Sequence, residues 1–270
     1  MKIIRSIKEL KKTIPNITNL GFVPTMGGIH NGHLSLFNKS INKCNKTLAS
    51  IYINPTQFNN KKDFLKYPTN INKDLKILKK LKIDFVFIPK TYEIYKKKRS
   101  KKLKIHSKKN VLCGKFRKGH FDGVIDVIDR FLNLINPNYM FLGEKDFQQL
   151  FLIKNYVKKK FRVKIIPCKT IRDKNHIAIS SRNYLLSKKD LSIASQIAKK
   201  LKLFKIKLRS NHNYKKKINY IKKYLIDNYK IKLDYLELRN EKDLSIFKKN
   251  KKFRLFVAYH INNVRLIDNF

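Results

Sequence analysis

Apolar positions along the chain fall into two alternating patterns. Short β-branched or aromatic runs at Leu20–Val23, Leu48–Ile53, Phe85–Ile88, Tyr139–Leu142 and Val163–Pro167 predict strands. Between them, apolar residues recur three and four apart in DLKILKKLKI from Asp74, FDGVIDVIDRFLNLI from Phe121 and DFQQLFLIKNYV from Asp146, which predicts helices. The N-terminus adds a short strand followed by an amphipathic helix carrying Ile7, Leu10 and Ile14. Strand–helix alternation of this kind predicts a Rossmann-like α/β domain, with a parallel sheet covered by helices and ligands at the carboxyl ends of the strands.

Beyond about residue 183 the pattern changes. Two lysine-rich helices are predicted at Lys188–Leu208 and Tyr214–Asn228, then strands at Lys232–Arg239, Phe253–Tyr259 and Val264–Ile267. A helix pair followed by an antiparallel sheet makes a smaller C-terminal α+β domain. The expected division is residues 1–176 and 177–270, with the polar stretch Arg172–Asn183 as the candidate hinge.

Composition changes this picture little. The 270 residues are 42% hydrophobic, as in globular proteins, and no apolar run is long enough to cross a bilayer. The start has neither the apolar stretch of a signal peptide nor the acid-poor character of a transit peptide, so a cytoplasmic protein is expected. Cys44, Cys113 and Cys168 are widely spaced and surrounded by no ligand set, which predicts reduced core residues and no protein-held metal. The formal net charge of +46 would attract polyanions. Its lysines are strewn along the whole chain, however, together with other residues of A- and T-rich codons, and no recognition module accompanies them. No specific nucleic-acid partner is expected.

Candidate chemistry concentrates in five segments. PTMGGIHNGHLSLF, residues 24–37, follows a strand and opens a helix. Gly27 and Gly28 permit a tight turn, Gly32 a close helix start, and free amides there would favour phosphate. His30 and His33 lie on one side of the first turn, where a protonated ring would offset charge on a leaving pyrophosphate. GEKDFQQL, residues 143–150, also stands at a strand-to-helix turn. Lys145 offers a cation there, and Asp146 is suited to a ribose hydroxyl or to a helix cap. Gln148 and Gln149 are adjacent, so only one need face a ligand. IYINPTQFN, residues 51–59, runs from a strand into the neutral amides Asn54, Gln57 and Asn59, which suit hydroxyl and carboxylate recognition. ISSRN, residues 179–183, supplies Ser180, Ser181 and Arg182 for gripping phosphate or capping a helix. CGKFRKGHFDGV, residues 113–124, brings Arg117 and His120 before a helix; it reads equally as a basic loop or as a site.

In this order and spacing the segments resemble the pantothenate synthetase family over nearly the whole chain. The histidine stretch is similar to the "HIGH" signature of the nucleotidyltransferase superfamily, while NPTQF, the Tyr67-Pro68 and Asp74-Leu75 pairs, GHF-G-V at Gly119, His120, Phe121, Gly123 and Val124, GEKD with its glutamines, and SSRN mark this one branch. The resemblance implies ATP bound by Met26, Gly27, Gly28, Ile29, His30, Asn31, Gly32 and His33, by Gly143, Glu144, Lys145 and Asp146, and by Ile171, Ile179, Ser180, Ser181 and Arg182. It implies pantoate held by Gln57 and Gln149, with β-alanine near Gln57. His33 takes the proton-donor position, and His30 and Lys145 join it as catalytic groups. Mg²⁺ on the triphosphate, a homodimer and a C-terminal lid are also implied, with AMP and pyrophosphate released through a pantoyl adenylate.

Three departures from the family pattern stand out. Asn175-His176 replaces the usual Asp-Gly, which removes a flexible glycine; Lys118 replaces a proline; and Gly28 replaces a common alanine, read as a mild change. Two other readings compete. A nucleotidylyltransferase would keep the nucleotide on its product and release no AMP. A non-catalytic nucleic-acid binder would show salt-dependent binding without turnover.

Overall fold

The computed structural model describes residues 1–59, 61–65, 67–96, 103–208, 213–248 and 251–270, so most of the KKKRSKK run and part of KKNKK lie outside the described residues. The chain forms two compact units, one of Met1–Asn110 with Arg117–Thr170, the other of Val111–Phe116 with Ile171–Phe270.

The first unit is built on strands β1 (Lys2–Ile4), β2 (Leu20–Thr25), β3 (Lys46–Ile51), β4 (Phe85–Phe87), β5 (Tyr139–Gly143) and β6 (Lys164–Cys168). They form a 6-stranded sheet in the order β1-β4-β3-β2-β5-β6, and every pairing is parallel. Helices α1 (Ile7–Thr13), α2 (Asn31–Ile41), α3 (Lys61–Leu65), α4 (Ile71–Lys80), α5 (Thr91–Ile94), α7 (His120–Ile135) and α8 (Phe147–Lys160) belong to the same unit. The expected Rossmann-like sheet is therefore present. Its core includes Val23, Phe37, Ala49, Ile51, Leu78, Val86 and Phe141, where full burial of each large side chain contributes about 1.5–3 kcal/mol.

Strand order decides where a ligand can bind. The sheet grows outward from β2 in both directions, through β3 on one side and β5 on the other. The carboxyl ends of β2 and β5 thus flank a switch point, the crevice where α/β sheets receive ligands. The histidine segment leaves β2 at that edge, and the GEKD segment leaves β5.

The second unit joins α6 (Cys113–Phe116), α9 (Lys188–Lys207) and α10 (Tyr214–Tyr229) to strands β7 (Lys232–Asn240), β8 (Phe253–Ile261) and β9 (Val264–Asn269), antiparallel in that order. Ser187 caps α9 by accepting the Asp190 amide at 3.1 Å. The β8–β9 hairpin turns at Asn262 with φ 51°, a conformation asparagine tolerates well. Ile197, Leu201, Leu225, Leu236, Leu255 and Val257 fill this unit's own core.

The division falls between Thr170 and Ile171 rather than after 176, for a visible reason. Arg172 donates to Asp268 at 2.7 and 2.8 Å and to the Asn269 carbonyl at 3.1 Å, which ties the segment to β9. Cys44 is half-buried, Cys113 and Cys168 are buried, and all three are free thiols. Among the described residues no helix is long and apolar enough to cross a membrane.

Candidate active site

The loop between β2 and α2 is pinned from a distance. Gly27 and Gly28 adopt φ 81° and 64°, left-handed values that favour glycine. The turn brings the Gly28 and Ile29 amides onto the Asp74 carboxylate at 2.9 and 2.8 Å, and the Gly27 amide onto Thr25 Oγ1 at 3.2 Å. Three consecutive N–H groups ahead of the helix are thus committed to the protein. Asp74 is buried at the first turn of α4, and burial pushes its carboxyl up against the downward pull of the two amides. Asn31 and Gly32 then open α2. Alanine at Gly28 would be strained, so that departure is not the mild one expected.

His30 and His33 stack with ring centroids 4.0 Å apart and planes 26° from parallel. The His30 amide donates to His33 Nδ1 at 3.4 Å, which leaves the His33 proton on Nε2. Burial, then Lys145, lowers His30 to about 4; burial, then His30, then Lys145, lowers His33 to about 3. Both shifts favour the neutral ring near pH 7, a hydrogen-bond donor without charge, over the protonated ring expected from residue type. His30 Nδ1 is buried without a hydrogen-bond partner among the described residues.

Lys145 joins this cluster from the end of β5. Its charge is felt by both histidines, and its Nζ lies 3.8 Å from Asp146 Oδ2. Asp146 precedes α8 but does not cap it, so its half-exposed carboxylate is not consumed by the helix. Gly143 and Glu144 complete the turn, and a Cβ at Gly143 would meet nothing within 4 Å. The adjacent glutamines separate as expected. Gln148 is buried and donates to the Lys108 carbonyl at 2.9 Å, whereas Gln149 is half-buried with no hydrogen bond among the described residues.

The turn after β3 divides in the same way. Asn54 is 1% exposed and saturated: its Oδ1 accepts from Thr56 Oγ1 at 3.0 Å and Tyr95 Oη at 2.9 Å, and its Nδ2 donates to the Gly123 carbonyl at 3.1 Å. Asn59 Nδ2 contacts the Lys118 carbonyl. Asn54 is held by the scaffold, which corrects its reading as a substrate reader. Gln57 differs, because its Nε2 lies against Met26 Sδ, beside the histidine loop.

In the second unit, Ile171 and Ile179 face each other, with the Ile179 amide on the Ile171 carbonyl at 3.0 Å. Ser180 caps the next turn by accepting the Arg182 amide at 3.3 Å; Ser181 is buried and Arg182 half-buried. His176 occupies the position of the missing glycine with φ 69°. Asp173 Oδ1 supports it by accepting the Asn175 and Ile177 amides at 2.9 and 2.8 Å. Sequence reasoning missed Asp74 as the anchor of the histidine loop. Its place in the Asp74-Leu75 pair was the available signal.

A parallel sheet with two turns of polar and basic residues at its switch point defines a Rossmann-like α/β protein, a class that receives ligands at that edge. The chain belongs to the pantoate–β-alanine ligase family, whose description matches residues 2–270. It is 38% identical to pantothenate synthetase of Endomicrobium trichonymphae over 280 aligned positions, covering 100% of this chain and 97% of that protein. It is 37% identical to the Flavobacterium psychrophilum pantothenate synthetase, covering 96% and 94%. The crystal structure of pantothenate synthetase from Thermus thermophilus superposes with TM-score 0.92 at 28% identity, covering 100% and 99% of the two chains. A Francisella tularensis pantoate–β-alanine ligase, crystallised with β,γ ATP and β-alanine, matches at TM-score 0.83 and 35% identity, covering 100% and 97%. The chain is accordingly an enzyme of the ligase class, with the activity of its family.

Proposed function

We propose that the chain joins pantoate to β-alanine through a pantoyl adenylate, with ATP as co-substrate and AMP and pyrophosphate as products. The observation that carries this reading is the neutral His30–His33 pair beside Lys145 at the switch point. The complex of the Francisella tularensis relative with ATP and β-alanine supports the same substrates here.

A pantoate carboxylate is anionic at neutral pH and needs no general base to attack the α-phosphorus. The demand is for donors and positive charge as negative charge builds on phosphate oxygens. His33 presents an Nε2–H, and Lys145 supplies the cation. Asn31 and Gly32 amides at the start of α2, with the helix dipole behind them, serve the same anion. Met26, Gly27, Gly28 and Ile29 shape the loop, and Gly143, Glu144 and Asp146 form the facing turn, where Asp146 suits a ribose hydroxyl. Ile171, Ile179, Ser180, Ser181 and Arg182 are assigned to ATP by the family resemblance, and a lid role for the second unit belongs to the same proposal.

Pyrophosphate departs from the α-phosphorus as the acyl–phosphate bond forms. The free amine of β-alanine then attacks the acyl carbon, loses a proton and forms the amide, while AMP leaves with the electrons of the broken anhydride bond. Gln57 and Gln149 are the neutral amides assigned to pantoate, with Gln57 also near β-alanine. No side-chain nucleophile takes part.

Among the described residues no group of three or more His, Cys, Asp or Glu gathers that could hold a metal. Mg²⁺ fits this site as a companion of the triphosphate, held by its oxygens and water, where it would neutralise charge on the leaving group. A homodimer is part of the proposal.

The test is isotope exchange between pyrophosphate and ATP without β-alanine. Exchange that requires pantoate is the expected result. Product formation from the three substrates without such exchange would contradict the adenylate.

A further inference from the structure

We propose that Arg117 and His120 are positioning residues that set the substrate-reading side chain of Gln57 by gripping its main-chain carbonyl. The proposal rests on the assignment of Gln57 to pantoate and deepens it.

The Gln57 carbonyl is the shared acceptor of two side chains from the segment that the sequence left open as loop or site. His120 Nδ1 donates to it at 2.7 Å and Arg117 Nη2 at 3.2 Å. Arg117 Nη1 lies 3.1 Å from His120 Nε2. A guanidinium only donates, so His120 Nε2 accepts and the ring proton sits on Nδ1, facing Gln57. His120 is 8% exposed, and its ring packs beside Phe121 at a centroid distance of 4.9 Å. Its tautomer, orientation and target are thus fixed together.

The other side of the turn is held as firmly. Gly123 lies so near the Thr56 carbonyl and the Gln57 amide that no Cβ fits between them. Asn54 bridges from its own turn to the Gly123 carbonyl at 3.1 Å. All these holds act on main chain or on Asn54 and Thr56. The Gln57 amide group is left toward Met26 rather than spent on the scaffold. A reader side chain gains specificity when its backbone is immobilised and its head group is not. A merely structural clamp would stabilise the fold without favouring one substrate over another.

Steady-state kinetics of His120→Ala, His120→Asn and Gln57→Ala, with the His120→Ala/Gln57→Ala double variant, separate these cases. His120→Ala is expected to raise the KM for pantoate about tenfold or more while the KM for ATP stays within about twofold. His120→Asn keeps a donor near the Nδ1 position and is expected to recover most of the loss. In the Gln57→Ala background, His120→Ala should add less than about twofold, because it acts through Gln57. Arg117→Met gives the same comparison if His120→Ala does not fold. Equal rises in both KM values, or a fully additive double variant, would overturn the clamp. An unchanged pantoate KM in Gln57→Ala alone would instead overturn the assignment of Gln57 itself.

Discussion

The Asp74 carboxylate accepts the Gly28 amide at 2.9 Å across 46 positions of sequence, and its second oxygen takes the Ile29 amide at 2.8 Å. One buried acid on α4 thereby holds the loop that delivers both histidines.

Asp74→Asn is the sharpest probe of that hold. One oxygen becomes an NH₂ group, so a donor faces a backbone donor in a buried site, at a cost of about 1–3 kcal/mol. The expected outcome is a lower melting temperature together with a raised KM for ATP, read by thermal unfolding and initial rates. A variant with unaltered ATP kinetics would show that the loop does not depend on Asp74.

Acid should weaken this protein through its histidine pair. The folded values, about 4 for His30 and about 3 for His33, lie below the 6.5 of an ordinary imidazole. As pH falls the unfolded chain therefore takes up protons first. The stability tied to these groups is complete above 6.5 and is lost progressively toward 4 and then 3. His33→Gln, which keeps a neutral donor near Nε2, should flatten the dependence of the urea midpoint on pH in that window. An NMR titration placing either ring near 6.5 in the folded enzyme would contradict its neutrality.

His176 carries a left-handed φ of 69° without glycine's freedom. Replacing it with glycine should stabilise the protein by about 1 kcal/mol, since left-handed backbone costs an ordinary residue about that much. Calorimetry should show a melting temperature about 2–4 °C higher. A fall would mean that the His176 side chain contributes more than its backbone costs.

The two glutamines of α8 should separate stability from binding. Gln148→Ala removes a buried hydrogen bond to the Lys108 carbonyl and should cost about 1 kcal/mol of stability. Gln149→Ala should leave unfolding unchanged and raise the KM for pantoate. Denaturant titrations and initial rates on the pair decide it; reversed effects would exchange the two roles.

Much of the fold could be read from periodicity. The long apolar stripes of α7 and α8, and the strand-like runs of β2 and β5, carry their own signal because their burial repeats along the chain. Strand order carried none, since the β2–β5 pairing joins residues far apart in sequence. For the same reason periodicity did not show the Gly28 and Ile29 amides meeting Asp74, which only its place in the Asp74-Leu75 pair marked. Histidine charge differed in another way: residue type suggested cations, whereas burial and Lys145, and for His33 also the neighbouring His30, shift both rings toward the neutral form. Asn54 looked like a substrate reader only because its partners, Tyr95 and Gly123, come from other elements.

The most direct test of the central claim is AMP release from ATP in the presence of Mg²⁺ and pantoate, with and without β-alanine, beside a His33→Ala control. The account predicts sustained AMP release only when both organic substrates are present, with most of it lost in the control. Folded protein that releases no AMP from the complete mixture, or a His33→Ala variant that turns over like the parent, would contradict it.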